Sequence, residues 1–493
     1  MKVTLTDARL DLGRALSPRG AVTEVGDGVA QVVGLSKVGA EELVAFDSGA
    51  LGMAYELAPD KVGVVLLGDA GLVCAGEGAE ATGRLPSVPV GPELLGRVLD
   101  PLGRPLDDRP VPSGESRSVF RLAPTLIARA PVERPLLTGV MIIDSAIPIG
   151  RGQRQLIVGD RNVGKTALAL DIVVAQRRSD VVCVYVVIGQ PISRVLGIRE
   201  ALQKNDALRN TIVIAADAAE TPGLQYLAPY AGTAVAEHFR DLGRDALVVY
   251  DDLTKHADAY RELALLLGRP PGREAFPGDI FYVHAQLLER STAMAESAGS
   301  GSITSFPIVE TTDSDISAYI PTNLISITDG QVYLDTTLFE RNQRPAVDIG
   351  RSVSRVGGTA QPPSLRAASH NLRIVMSRFE SLESLTRVGL DVDPKTRQAV
   401  MRGRRMRNIL GQSRFTKRTI ADQILALHAV TKGWLDEVPP EESRVTFWKA
   451  AERCRAELPD LMHALDSGED EPEAFSDRAR AVVERLLDEA DDA

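Results

Sequence analysis

Eight consecutive residues, Gly159-Asp160-Arg161-Asn162-Val163-Gly164-Lys165-Thr166, carry the clearest chemistry in the chain. They follow the apolar run 155–158 and open into Ala167-Leu168-Ala169-Leu170, so strand, glycine-flanked loop and helix come in that order. Glycines at both ends let the backbone wrap a triphosphate with its N–H groups aimed inward. Lys165 then reaches the β and γ phosphates, the Thr166 hydroxyl ligates magnesium, and the helix N-terminus adds partial positive charge. The expected ligand is ATP or ADP with magnesium.

Two further places decide whether that nucleotide is hydrolysed or held. The run 246–250 ends in Asp251-Asp252, and a carboxylate leaving a neighbouring strand suits the magnesium ion or its water ligands. Asp251 is the expected one. A hydrolase also needs a group that polarises the attacking water, usually a glutamate beyond a sheet strand. Here Val186-Val187-Ile188-Gly189 leads to Gln190. A carboxamide can hydrogen-bond a water but cannot take its proton, so with Gln190 at the catalytic position the site binds without turnover.

The elements that must position these groups follow from the patterning of the 493 residues. Residues 1–19 read as a tail or short helix, with Leu5, Ala8, Leu12 and Leu16 at near-helical spacing. Over 20–84, short Val-rich runs alternate with Gly and Asp-Gly turns, the pattern of a small antiparallel β-barrel. A Pro- and Gly-rich stretch beginning LPSVPVGPELLGRV then enters an α/β core over 85–368, a P-loop, RecA-like domain around a parallel sheet. Its candidate strands are 155–158, 181–188, 211–215, 246–250 and 323–328, and ligands of such sheets sit beyond the strands' carboxyl ends. From 369 to 493 helical periodicity dominates and predicts a helical bundle, closing on a helix with Val482, Val483, Leu486 and Leu487 on one face.

Composition narrows the function classes. Hydrophobic residues at 44% and charged residues at 25% fit a globular protein, and no apolar run is long enough to span a membrane. The first residues, MKVTLTDARL, have no signal-peptide pattern, which points to the cytoplasm. A net charge of -11 argues against nucleic acid as the main partner. Cys74, Cys183 and Cys454 are too scattered for a disulfide framework or a zinc site.

Taken together, these motifs closely resemble the α subunit of the F-type rotary ATP synthase. The resemblance covers about residues 20–440 and rests on GDGVAQVVGL, PIGRGQRQLIVGDRNVGKTALALDIV, VYVVIGQ, the long run beginning YDDLTKHADAYRELALLLGRPPGREAFPGD, ETTDSDISAYIPTNLISITDGQVYLDTTLF and RPAVDIGRSVSRVGGTAQ. It implies a hexamer in which α and catalytic β subunits alternate around a γ shaft, with α holding a magnesium nucleotide that it does not hydrolyse. Gln190 falls where the family's α has glutamine and β has glutamate. Arg355, in SVSRVGG, matches the arginine finger that α extends into the neighbouring β site. Arg344 and Gln412 match α residues near the adenine, with Phe339 close to the same wall. The complex works at the cytoplasmic face of the cell membrane, with α peripheral and ion transport carried by other subunits.

Departures from the family pattern are specific. Asn162-Val163 stands where Gln-Thr is common, and Arg414 replaces a second glutamine near the base. The region ahead of the barrel is short, so an altered or absent contact with the δ subunit of the peripheral stalk is expected. That suggests a divergent branch of the family, in which sodium coupling occurs. Two other assignments share a phosphate loop. A self-sufficient hexameric ATPase, such as a secretion motor, requires a glutamate where Gln190 stands. An RNA-translocating hexamer requires a basic, aromatic-studded barrel, whereas this one carries Glu24, Asp27, Glu41, Glu42 and Asp47 against Lys37 and Lys61.

Overall fold

The computed structural model describes residues 19–387, 393–468 and 470–491. The short helix expected before residue 19 lies outside the described residues. Six strands form the N-terminal barrel: β1 (Arg19–Gly26), β2 (Val29–Val33), β3 (Leu43–Phe46), β4 (Leu51–Leu57), β5 (Val62–Leu66) and β6 (Gly78–Ala81). They close in the order β1-β2-β5-β4-β3-β6. Gly20 and Val22 are the buried positions of β1, and Val22, Val32, Val44, Ala54 and Val64 fill the interior. Between β1 and β2, Asp27 and Gly28 both take positive φ, 51° and 83°, which an Asp-Gly pair tolerates in a tight hairpin.

The Pro- and Gly-rich stretch is bolted to the core. Arg97 donates to both oxygens of Asp107 at 2.8 and 3.0 Å, with both side chains buried. Between them β7 (Val98–Leu99) adds to the edge of the central sheet. That sheet is built from β8 (Leu156–Asp160), β9 (Val182–Gln190), β10 (Thr211–Asp217), β11 (Asp245–Asp251), β12 (Ser302–Thr311), β13 (Gly330–Leu334) and β14 (Val347–Ser354). Its order is β14-β13-β8-β12-β11-β9-β10-β7, parallel throughout except for β14 against β13. Four neighbouring strands, β8, β12, β11 and β9, therefore end together, and their carboxyl ends carry Asp160, Thr311, Asp251 and Gln190.

Several of these assignments correct the sequence expectations: β7, β12, β13 and β14 were not among the candidate strands, and one candidate strand is a helix. The run 323–328 is not a strand; it lies mainly in a helix, Tyr319–Ile327. Ile320, Pro321, Leu324 and Ile327 are its buried residues, at a helical spacing that the β-branched run obscured. In turn β12, absent from the candidate strands, occupies the middle of the sheet. Its hydroxyl residues and Pro307 dilute the strand signal, yet the fold satisfies them: Ser302 donates to Asp245 at 2.6 Å and Thr304 accepts from the Gly152 N–H at 2.9 Å.

The helical region packs its apolar faces onto one another and onto one face of the sheet as a single core. Met376, Phe379, Ile409, Ile424, Leu427, Phe447, Phe475, Val482 and Val483 join Ile157, Leu168 and Leu247 in it. The helix Ile420–Thr431 starts at a capping box in which Thr419 and Asp422 satisfy each other's backbone N–H groups.

On the other face, the helix Pro222–Asp241 crosses from the barrel to the sheet. At its start Thr221 donates to the Leu66 carbonyl at 3.0 Å, and a Cβ on Gly223 would stand 2.6 Å from that same oxygen. Alanine at 223 would gain at most about 1 kcal/mol of helix propensity, whereas forcing a methyl onto a fixed carbonyl costs typically 1–3 kcal/mol. Gly223→Ala is therefore expected to lower stability by roughly 1–2 kcal/mol in urea denaturation. An unchanged or raised midpoint would mean that the barrel and the core are not in close contact there.

Candidate functional site

The phosphate loop emerges from β8 and closes on the helix Lys165–Ala175. Two of its residues take left-handed backbone, Asn162 at φ 66° and Gly164 at φ 103°, which turns the chain sharply back over the helix start. Val163 points its side chain into the core, so it offers a ligand only its backbone. Asp160 fastens the loop from below. Its carboxylate accepts from the Thr311 and Ser314 hydroxyls at 2.6 and 2.8 Å, from the Ser314 N–H at 2.8 Å and from the Thr336 hydroxyl at 2.9 Å. Burial works to raise this carboxyl, but those bonds together hold it below its ordinary range.

Lys165 lies folded back over the loop, donating to the carbonyls of Gly159 and Asp160 at 2.9 and 2.6 Å, with Glu310 at 3.5 Å. Burial lowers its pKa against the pull of Glu310, Asp252 and Asp251. An incoming phosphate would restore the charge that burial disfavours. Thr166 donates to Asp251 at 2.8 Å, and the Tyr185 hydroxyl donates to the same carboxylate oxygen at 2.9 Å. Asp251 is buried, and burial pushes it up despite those two bonds. Its neighbour Asp252 is pushed up to about 7 by burial and by Asp251's charge. Asp252 also caps the helix Leu253–Leu266 through the Lys255 N–H at 2.9 Å, and its other oxygen accepts from Gln190 at 3.2 Å.

These side chains face a cleft of about 730 Å³, the size of an ordinary small-molecule site. Arg161, Asn162, Lys165, Thr166, Gln190, Asp251 and Glu310 line it from the sheet side. The helix Ile192–Lys204 forms the opposite wall with Arg194, Gly197 and Ile198, and Arg414 reaches in from the helical region. Among the described residues no cluster of three or more His, Cys, Asp or Glu could hold a metal unaided. The oxygen donors Thr166 and Asp251 nevertheless suit magnesium, which keeps most of its ligands from phosphate and water.

The remaining sequence-expected residues lie elsewhere. Arg344 and Gln412 meet each other, the Gln412 N–H donating to the Arg344 carbonyl at 2.8 Å, but neither lines this cleft. The Gln412 amide is engaged by backbone, accepting from the Met141 N–H at 3.0 Å and donating to the Gly139 carbonyl at 2.7 Å. Arg344 lies over the Phe339 ring at 3.6 Å. Arg355 follows β14 and its N–H donates to the Asp329 carbonyl at 2.8 Å. Because Ser354 pairs with Gly330, and Gln331 with Leu156, Arg355 lies beyond the amino end of β8. The length of a five-residue strand, about 15 Å, thus separates it from its own phosphate loop. Its guanidinium is exposed and has no partner among the described residues. Glu310 and Arg194 were not singled out in the sequence. Arg194's signal was a cation four residues past Gln190 in a helix; Glu310 went unread with the strand that carries it.

Three family models cover most of the chain. The β-barrel domain of the ATP synthase alpha/beta family matches residues 17–83, its nucleotide-binding domain 139–354 and its C-terminal domain 361–486. ATP synthase subunit alpha 2 of Syntrophotalea carbinolica is 49% identical over 468 residues, 95% of this chain and 90% of that protein. The chain is an F-type α subunit of the ATP synthase alpha/beta family. The α subunit accordingly has the six-stranded barrel, parallel nucleotide-binding sheet and helical C-terminal region of that family. No helix among its described residues is long and apolar enough to cross a membrane.

Asp171, on the helix that follows the loop, accepts the Phe415 N–H at 2.9 Å and so fixes the backbone beside Arg414. Burial pushes its carboxyl up to about 6, against that bond and the Arg414 charge. A raised carboxyl pKa in the folded α subunit costs stability as pH climbs from about 4 through about 6. Asp171→Asn should therefore match the parent near pH 4.5 and exceed it by about 1–2 kcal/mol at pH 7.5 in chemical denaturation. A difference independent of pH would mean that Asp171 ionises normally.

Proposed function

We propose that this α subunit holds a magnesium nucleotide without hydrolysing it, alternates with catalytic β subunits around a γ shaft, and lends Arg355 to the neighbouring β site. The observation that carries the noncatalytic part is Gln190 at the carboxyl end of β9, facing the cleft with its amide bonded to Asp252. A water beside the terminal phosphate can be oriented by that amide and cannot lose a proton to it. Asp252, raised toward neutrality, does not substitute as a base, because both its oxygens are engaged and it is 1% exposed. Glu310 is drawn to the Lys165 ammonium, on the loop side.

In this reading the chain's own residues bind and orient. The loop N–H groups and Lys165 take the phosphates, and Thr166 and Asp251 hold magnesium, directly or through water. Held there, the ion would supply charge neutralisation to the phosphates. Arg161, Asn162, Gly164 and Gln190 complete the polar side of the cleft. The nucleotide stabilises the folded subunit because it binds only that state.

Arg355 cannot serve this cleft, since it stands at the far end of the sheet. An exposed, always-charged guanidinium at a surface edge can serve another chain, where it would donate two hydrogen bonds to the phosphoryl group in flight. The assembly then works at the cytoplasmic face of the membrane as a peripheral head, with ion transport in the membrane sector.

Two measurements test the reading. The purified α subunit should bind Mg-ATP yet show no steady turnover; appreciable hydrolysis by the isolated chain would instead make it a self-sufficient ATPase. In the assembled complex, Arg355→Ala should leave nucleotide binding by α intact and lower steady-state hydrolysis about a thousandfold or more. Unchanged hydrolysis would remove Arg355 from the β site.

A further inference from the structure

The geometry points to Arg194 as a terminal-phosphate ligand that makes this site select nucleoside triphosphate over diphosphate, and that occupies the metal corner when the site is empty. Its Nη2 donates to the Thr166 hydroxyl oxygen at 3.1 Å, while that hydroxyl gives its own proton to Asp251 at 2.8 Å. Arg194 therefore takes a lone pair of the very oxygen that would ligate magnesium. It has no carboxylate partner within ion-pair distance among the described residues; Asp251 is near enough to feel its charge, while the hydrogen-bonded link between them runs through Thr166. The oxygen keeps a second lone pair, but a guanidinium and a divalent ion held against one oxygen repel each other strongly, so magnesium loading would displace Arg194. The side chain is exposed and enters from the helix Ile192–Lys204, across the cleft from the phosphate loop. Thr166 and Asp251 would hold the magnesium ion, which would offset the phosphate charge beside them. The displaced guanidinium would stay in the cleft, on the wall opposite Lys165 and the loop, where a terminal phosphate is the anion within its reach. With a triphosphate it exchanges one hydrogen bond to a neutral hydroxyl for charge-assisted bonds to an anion. With a diphosphate it loses the hydroxyl and gains less.

This inference rests on the nucleotide-holding reading above, and the experiment separates the two. The full-length α subunit and its Arg194→Ala and Arg194→Lys variants are titrated calorimetrically with Mg-ADP and with the magnesium complex of the nonhydrolysable β,γ-imido analogue of ATP. The parent should prefer the triphosphate. Arg194→Ala should weaken triphosphate binding about tenfold to a hundredfold while leaving Mg-ADP within about twofold, or slightly tighter because the metal corner is already clear. Arg194→Lys keeps the charge without the fork and should fall between, which decides the matter if the alanine variant does not fold. Equal losses for both nucleotides, or no loss for either, would overturn the role of Arg194. A parent chain that binds neither nucleotide would overturn the holding function itself.

Discussion

The shared hydrogen bonding at Asp251 is the interaction on which the rest of the site depends. One buried carboxylate oxygen receives both Thr166, from the helix after the loop, and Tyr185, from the strand that ends in Gln190. It therefore ties together β11, β9 and the loop helix, three elements that sequence separates widely. A buried carboxylate flanked by a second one is poorly solvated, and burial raises both. Lys165 responds in the opposite sense, its charge disfavoured by the same burial. The pocket is thus electrostatically incomplete in both directions, and a divalent cation together with a polyphosphate would relieve both at once.

The core geometry is arranged to keep these groups in register. Parallel pairing places Gly159 beside Glu310 and Asp160 beside Thr311, and sets Val187 beside Asp251. A slip of one residue in any of these ladders would turn a site side chain to the opposite face. Asp160 adds a side-chain lock to the ladders, since its carboxylate accepts four hydrogen bonds, from Thr311, Ser314 and Thr336. Its side chain, taken up by these bonds, holds the loop in place.

Much of this was legible in the sequence because it is local. The phosphate loop, the Asp251-Asp252 pair and Gln190 each follow an apolar run directly, so strand end and functional residue are read together. The barrel was legible through its Asp-Gly turns and short Val-rich runs. What escaped depended on tertiary context. The strand Ser302–Thr311 hides its character behind Ser, Thr and Pro, which only a fully covered central strand with waiting partners can bury, and Glu310 went with it. The β-branched run 323–328 imitates a strand but follows Pro321 in a helix with one buried face. Arg194 looked like any helical surface arginine, and only the fold brings it to Thr166.

The placement of Arg355 has a mechanical consequence. Its backbone is fastened to Asp329, whose carboxylate in turn accepts from the Arg154 N–H at 2.9 Å, two residues before β8 begins. The same strand therefore has the phosphate loop at one end and the anchor of the exposed guanidinium at the other. A fully hydrogen-bonded parallel sheet hardly stretches. Under the proposed assembly, β8 acts as a rigid spacer, and a displacement imposed on the subunit by its shaft carries both ends through space by related amounts.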